Sequence, residues 1–322
     1  VMYLLPISFF IFLFALYFNF HVALFFSFIF AALFGVTYGS LPLFVYLLTS
    51  GIVASFSSQS LRTRLSLYRP LLYIALTNIL AILFINLYLT KSAFNLLDFS
   101  VGILNSILSS FAVGLFLPLL ERLFDFTTDL TLLELGNLNL PLFKEMSLKT
   151  PGTYHHSIVV GSLAEAGASA IGADPILARV GAYYLDIGKL DKPEYFIENQ
   201  LGVKNPHDQL KPQMSALVII SHVKEGTEMA KKMRLPKKLL DIITEHHGTT
   251  TIEMFYRKAL HLIPEAKPDD FSYPGPKPKT KEAALVMLAD CVEAAARGEK
   301  IININKLQKI LRDNFDKKFN EG

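Results

Sequence analysis

Residues 180–190 read VGAYYLDIGKL. Val180 to Tyr184 form an apolar, helix-like run that carries Asp186 into what should be packed interior, and Gly188-Lys189 then opens a turn. A carboxylate held away from water needs a cation beside it. Its chain neighbour, Leu185, can neither bind a metal nor carry a proton. The stretch reads as part of a helical domain built around a buried charged centre.

The surrounding sequence keeps the same period. Helical runs are expected at 153–172, 175–186, 212–233, 236–247, 252–262 and 280–297, and little alternates as a strand would. A Pro-rich polar loop, PEAKPDDFSYPGPKPKT, separates the last two. The tail from Lys300 to Gly322 reads as a charged amphipathic helix. Before the domain, residues 121–150 (with LLELGNLNLPLFKEMSLK) read as a connector of short helices ended by Pro151-Gly152. Residues 151–322 are thus expected to form an all-α domain large enough to bury its own core.

Further upstream the composition changes. The chain of 322 residues is 52% hydrophobic with a mean hydropathy of +0.38, and residues 1–120 hold most of the excess, as in a membrane protein with a soluble half. Spans of roughly 20 apolar residues are expected near 41–57, 70–90 and 101–120. Residues 1–36 read as two shorter spans broken near Asn19-Phe20-His21. Arg62, Arg64 and Arg69 cluster between the third and fourth spans, and the positive-inside rule puts that loop, and everything after Leu120, in the cytoplasm. No Asp, Glu, Lys or Arg lies inside an expected span, which favours an anchoring or sensing half over a transporter. The net charge of +3 arises in the apolar half, so it gives no support for a nucleic-acid polymer as partner. The single Cys291 excludes a disulfide framework or thiolate metal site and fits a reducing compartment. No signal-peptide pattern is present.

All histidines but His21 follow Tyr154. His155-His156 begin one helical run, His222 follows the apolar SALVIIS, and His246-His247 end another run before Gly248. Asp290 lies in ALVMLADCVEAA with no Lys or Arg three or four residues away to pair with it. Imidazoles with carboxylates and no thiolates suit Zn, Fe or Mn, and such ligands from separate helices converge inside helical bundles. Each residue also has a plainer reading. For His222 alone, a core or surface histidine outweighs a ligand; His246-His247 point about 100° apart on a helix and stand even between the two; Asp290 could be a buried acid bonded to a hydroxyl. His207 and His261 read as surface residues, and His155 as exposed or supporting.

Taken together, SLKTPGTYHHSIVVGSLAEA, RVGAYYLDIGKLDKPEYFIENQ, NPHDQLKPQMSALVIISHVKEG, ITEHHGTTTIEMFY and YPGPKPKTKEAALVMLADCVEAAAR resemble the HD-domain metal-dependent phosphohydrolases. Within that superfamily they are similar to the cytoplasmic domain of the seven-transmembrane HD (PgpH-type) family, bacterial membrane phosphodiesterases that hydrolyse cyclic di-AMP. The family carries an extracellular domain before seven spans, so the resemblance implies that this chain corresponds to the last five spans and the HD domain. It implies two divalent ions, iron or manganese, held by His156, Asp186, His222, His246, His247 and Asp290. Asp186 would be shared, with His156 and Asp290 on one side and the other three histidines opposite. Lys189 resembles a phosphate contact, while FIENQ and PGPKP are expected beside the nucleotide.

The family motif reads His-Asp where this chain has Leu185-Asp186, so one ligand position is lost. The expected reaction is hydrolysis of cyclic di-AMP to linear pApA at the bacterial cell membrane, slowed by Leu185. A nucleotide receptor without turnover is the alternative. Cyclic di-GMP is the rival substrate, although GTTTIEMFY follows His246-His247 where a Gly-Tyr-Pro signature would stand. The sensed ligand and the oligomeric state, a homo-oligomer included, stay open.

Overall fold

The computed structural model describes residues 2–58, 66, 68–91, 95–200, 202, 204–299 and 303–321. Two compact units divide it, Val1–Glu134 and Leu135–Gly322. The segment read as a connector contributes residues to both.

The first unit contains α1 (Ile7–Tyr17), α2 (Phe20–Thr37), α3 (Leu41–Ser58), α4 (Tyr68–Phe84, continued by a π-helical turn at Ile85–Leu89) and α5 (Leu96–Leu123). Four helices, α2 to α5 with the turn that extends α4, are long and apolar enough to cross a membrane, while the apolar segment Met2–Tyr17 is shorter. The expected break in residues 1–36 occurs at Asn19, whose side chain accepts a hydrogen bond from Val22 N at 2.9 Å and caps α2. Ala23, Ser27, Ala31 and Gly35 recur every fourth residue and are buried, which lets α2 lie close to α3. Some hydroxyls bond their own helix backbone, as Ser55 does to Gly51 O at 2.9 Å. Side-chain amides reach across: Asn78 Nδ2 donates to Gly102 O, and Asn105 Nδ2 to Tyr3 O and Leu5 O, each at 2.9 Å. Such buried amides need partners where no water is at hand. Of the three arginines behind the sidedness expectation, Arg62 and Arg64 lie outside the described residues.

The second unit is all-helical, its only β element among the described residues being a single bridge between Thr251 and Ser272. The short α6 (Asp129–Leu135) lies in the first unit up to Glu134, and the helices of the second are α7 (Pro141–Lys149), α8 (Pro151–Ile171), α9 (Pro175–Tyr184), α10 (Pro212–Lys232), α11 (Lys237–Glu245), α12 (Glu253–Leu262), α13 (Lys281–Arg297) and α14 (Ile304–Glu321). Local chemistry sets their ends. Asp174 caps α9 through Leu177 N at 3.0 Å with Pro175 next, Thr280 caps α13 through Ala283 N at 3.2 Å, and Gly172 closes α8 in the left-handed region at φ +66°. α9 sits at the centre, packed on α8, α11 and α13. Val180, Ala182 and Tyr184 of α9, Val160 and Ala164 of α8, Ile242 and Ile243 of α11, and Val286 of α13 are essentially inaccessible to solvent. The connector adds Phe143, whose ring meets Tyr184 edge-on at 5.1 Å, and Leu135, whose carbonyl accepts the Tyr184 hydroxyl at 2.9 Å.

Candidate metal centre

Four elements around α9 deliver the polar groups. α8 brings His156, the end of α9 brings Asp186, α10 brings His222, α11 ends at His246-His247, and α13 brings Asp290. Gly188 makes this assembly close. A Cβ there would stand 1.9 Å from the His222 carbonyl oxygen, so only glycine lets the 3₁₀ turn Ile187–Leu190 lie directly on α10 and set Asp186 beside His222.

Asp186 is 1% exposed. Its Oδ1 lies 3.2 Å from His222 Nε2 and 3.8 Å from His246 Nε2, yet accepts no hydrogen bond. Its Oδ2 lies 2.8 Å from Lys189 Nζ and 3.6 Å from His156 Nε2. His156 Nε2 is also 3.1 Å from Asp290 Oδ1, and Asp290 Oδ2 is 3.6 Å from His247 Nδ1. One connected cluster thus holds His156, Asp186, His222, His246, His247 and Asp290. Ligand atoms of Asp186, His222, His246 and His247 all fall within 4.8 Å of one another.

Tautomers follow from the helix backbone. His222 Nδ1 is 2.5 Å from Ile219 O, and His246 Nδ1 is 2.8 Å from Ile243 O. A carbonyl only accepts, so both Nδ1 atoms carry a proton, and in the neutral form of each ring Nε2 keeps its lone pair. Those two Nε2 atoms face each other at 3.4 Å beside the unbonded Asp186 Oδ1. Two lone pairs and a carboxylate oxygen aimed at one point repel unless a cation sits among them, and imidazole with carboxylate is the donor set of a divalent metal.

The charges agree. Burial opposes ionisation of Asp186, but the Lys189 ammonium 2.8 Å away holds its carboxyl well below the usual range. Burial pushes His246 down to about 4 and His247 well down too, so both are neutral donors near pH 7. His156 differs: burial opposes its charge, yet hydrogen bonds to Asp290 and Glu293 raise it to about 9.

The cluster opens into a cleft of about 680 Å³ whose walls include Lys189, Phe196, His207, Phe255, Lys258 and Tyr273, a volume suited to a small-molecule ligand. Lys189 Nζ donates to Glu198 Oε1 at 2.8 Å as well as meeting Asp186. Of FIENQ, Phe196, Ile197, Glu198 and Gln200 face the cleft. Asn199 instead braces the start of α8, accepting from Thr153 N at 3.1 Å and donating to Thr153 Oγ1 at 2.9 Å. The PGPKP loop departs from expectation: Lys277 and Pro278 line a separate cavity with Met287 and Phe315, and it is Tyr273 just before them that reaches the cleft, stacked on His247 at 4.2 Å.

The family described as "7TM receptor with intracellular HD hydrolase" matches residues 1–128, and the HD domain family matches residues 153–295. A curated relative, the cyclic-di-AMP phosphodiesterase PgpH of Bacillus subtilis, is 40% identical over 283 residues, 86% of this chain and 40% of its own length. The enzyme of the same description from Listeria monocytogenes is 46% identical over 206 residues, 64% of this chain and 29% of its own. The crystal structure of the L. monocytogenes PgpH HD domain in complex with cyclic-di-AMP superposes with a TM-score of 0.56 at 46% identity, covering 58% of this chain and 87% of that one. This chain belongs to the seven-transmembrane HD family. It spans well under half the length of those two curated relatives.

Leu185 stands at the position that the sequence reading marks as a lost ligand. It is fully buried at the end of α9 and brings no donor atom to the cluster. The sequence reading also missed three groups. Glu293, one turn beyond Asp290 on the same face of α13, lies 2.5 Å from His156 Nδ1; two acids three residues apart on an apolar helix were the available signal. His207, read as a surface residue, is a half-buried wall of the cleft with its ring 5.0 Å from Phe255. Phe255 lies in the expected helical run 252–262 and was not singled out. His155 and His261 are exposed as expected.

Proposed function

We propose that this chain is a membrane-anchored, divalent-metal-dependent phosphodiesterase that hydrolyses cyclic di-AMP to linear pApA, with turnover slowed by Leu185. The observation that carries the reading is the unbonded Asp186 Oδ1 facing the Nε2 lone pairs of His222 and His246. His156, Asp186, His222, His246, His247 and Asp290 would hold two ions, iron or manganese. Bound there, the metal would polarise a phosphodiester oxygen and activate water for attack.

The chain's own residues do the rest. Lys189, on the cleft wall and steadied by Glu198, presents positive charge to a phosphate. Phe255 and Tyr273 offer ring faces against which adenine can stack. The relatives named as cyclic-di-AMP phosphodiesterases support adenine over guanine. The HD domain lies on the cytoplasmic side of the bacterial cell membrane, as the arginines between the third and fourth spans suggest.

The test is cyclic di-AMP hydrolysis by the purified full chain with manganese added and bound metal counted in the same sample. Turnover to pApA with metal bound supports the enzyme. Nucleotide binding without turnover supports the second reading, a receptor, which the donor-free Leu185 side chain favours. Leu185→His separates the two: a gain in rate of several orders marks a disabled enzyme.

A further inference from the structure

His156 is held from behind by a carboxylate to which the proposed reaction gives no part. Its Nδ1 lies 2.5 Å from Glu293 Oε2, and Arg297 reaches the same oxygen at 3.2 Å. The Glu293 side chain is 10% exposed and that of His156 2%, so water competes little for this bond. With Nδ1–H donating to Glu293, Nε2 faces Asp290 Oδ1, 3.1 Å away, and Asp186 Oδ2, 3.6 Å away, so a cation between them takes the place of the Nε2 proton.

We infer that Glu293 is a positioning residue that lets the His156 side of the centre hold a divalent cation although Leu185 supplies no ligand there. This rests on the reading of the cluster as a metal centre and not on the identity of the substrate.

The two sides of Asp186 are unequal. Toward Oδ1 stand His222 and His246, with His247 close by. Among the described residues, His156 and, beyond it, Asp290 stand toward Oδ2, while Lys189 already places a positive charge 2.8 Å from that oxygen. A cation on this side has fewer donors and a competing ammonium.

The imidazoles are unequal in the compensating direction. His222 and His246 give their Nδ1 protons to neutral carbonyls of their own helices. His156 gives its proton to an anion. A carboxylate partner fixes the tautomer and ring orientation and makes the other nitrogen a better donor; removing such a partner typically costs about 10–100-fold in metal affinity. The strongest imidazole donor thus stands where the donors are fewest.

The experiment uses the full chain in detergent, titrated with manganese at buffered free concentrations, with bound metal counted and the Mn(II) electron paramagnetic resonance spectrum recorded. Wild type is expected to fill two classes of site and to show a coupled two-ion signal. Glu293→Gln should weaken one class about 10–100-fold, leave the other within about twofold, and convert the spectrum to that of isolated ions at the same loading. In the Leu185→His background, where the lost donor is restored, the same substitution should cost less than tenfold. Should Glu293→Gln not fold, Glu293→Asp, which withdraws the carboxylate by one methylene, should weaken the same class alone by about tenfold. The inference is overturned by unchanged affinities, by equal weakening of both classes, by an undiminished effect in the Leu185→His background, or by a wild type that binds one ion only. Hydrolysis is not read in this titration; two ions bound by these rules, together with no cleavage of cyclic di-AMP in the separate turnover assay, would sink the phosphodiesterase reading alone.

Discussion

His246 and His156 sit in one cluster, yet their proton equilibria move in opposite directions. Burial brings His246 down to about 4, against about 6.5 in an unfolded chain. Between those values the unfolded state binds a proton that the folded state refuses, so stability present above pH 6.5 is lost as pH falls toward 4. His156, raised to about 9 against the pull of burial by Asp290 and Glu293, works the other way: its contribution is complete below pH 6.5 and is lost as pH rises through 9. Chemical denaturation of chelator-treated protein should therefore show a maximum near pH 6.5, falling on the order of 1–3 kcal/mol on each side; a flat profile from 5 to 9 would contradict the geometry. Metal changes one limb. A cation on His156 Nε2 must displace a proton at neutral pH, so uptake on that side should release about one proton and weaken as pH falls from 9 to 7, measurable by calorimetry in buffers of different ionisation enthalpy. Site legibility followed the same chemistry. His156, His222, His246, His247, Asp186 and Asp290 drew notice because charged or imidazole side chains in apolar runs demand a reason, but it was the family resemblance that joined them into one ligand set. Glu293 was passed over, because an acid near a helix end normally needs no reason, although its place three residues from Asp290 was the available signal.

Helices were readable where periodicity and capping coincide. The runs expected at 175–186 and 280–297 appear as Pro175–Tyr184 and Lys281–Arg297, started in the structure by the caps Asp174 and Thr280. The stretch between Asp186 and Pro212 was not readable. It folds as four separate 3₁₀ turns, which are too short to show a hydrophobic period and are fixed by tertiary contacts such as Glu198 and Asn199 on the start of α8. Gly188 is the hinge of this region in a strict steric sense. Its would-be Cβ lies 1.9 Å from the His222 carbonyl and 2.5 Å from Gly226 N, both backbone atoms that cannot turn aside. Gly188→Ala must push the turn off α10, separating Asp186 from His222. The cost should be about 1–3 kcal/mol in stability, together with a loss of manganese affinity of at least tenfold. Gly172→Ala is the control: its Cβ would meet nothing within 4 Å, and only its φ of +66° is strained, so it should lose stability and keep its metal.

The whole chain carries two hydrophobic cores of different kinds. In Val1–Glu134 the helices bury small residues and bridging amides between apolar faces, a pattern whose stability comes from packing and internal hydrogen bonds. In Leu135–Gly322 the core wraps a polar centre in which Asp186, His222 and His246 are all within 1% of full burial. Such a centre is a liability without a cation, since its lone pairs and carboxylate oxygens then have only one another. All six candidate ligands belong to the second unit, so metal binding should stabilise that unit and leave the other alone. A ligand that binds only the folded state contributes about 2.7 kcal/mol at one hundred times its Kd, and in a unit of this size that corresponds to a shift on the order of 5–10 °C. Calorimetry of the detergent-solubilised chain should accordingly show one transition that falls by this amount when chelator removes the metal and returns when manganese is restored. The other should stay in place. If both transitions moved together, the units would be coupled in their stability; if neither moved, the cluster around Asp186 would be a network satisfied by protons and Lys189, and its lone pairs would have found another partner than metal.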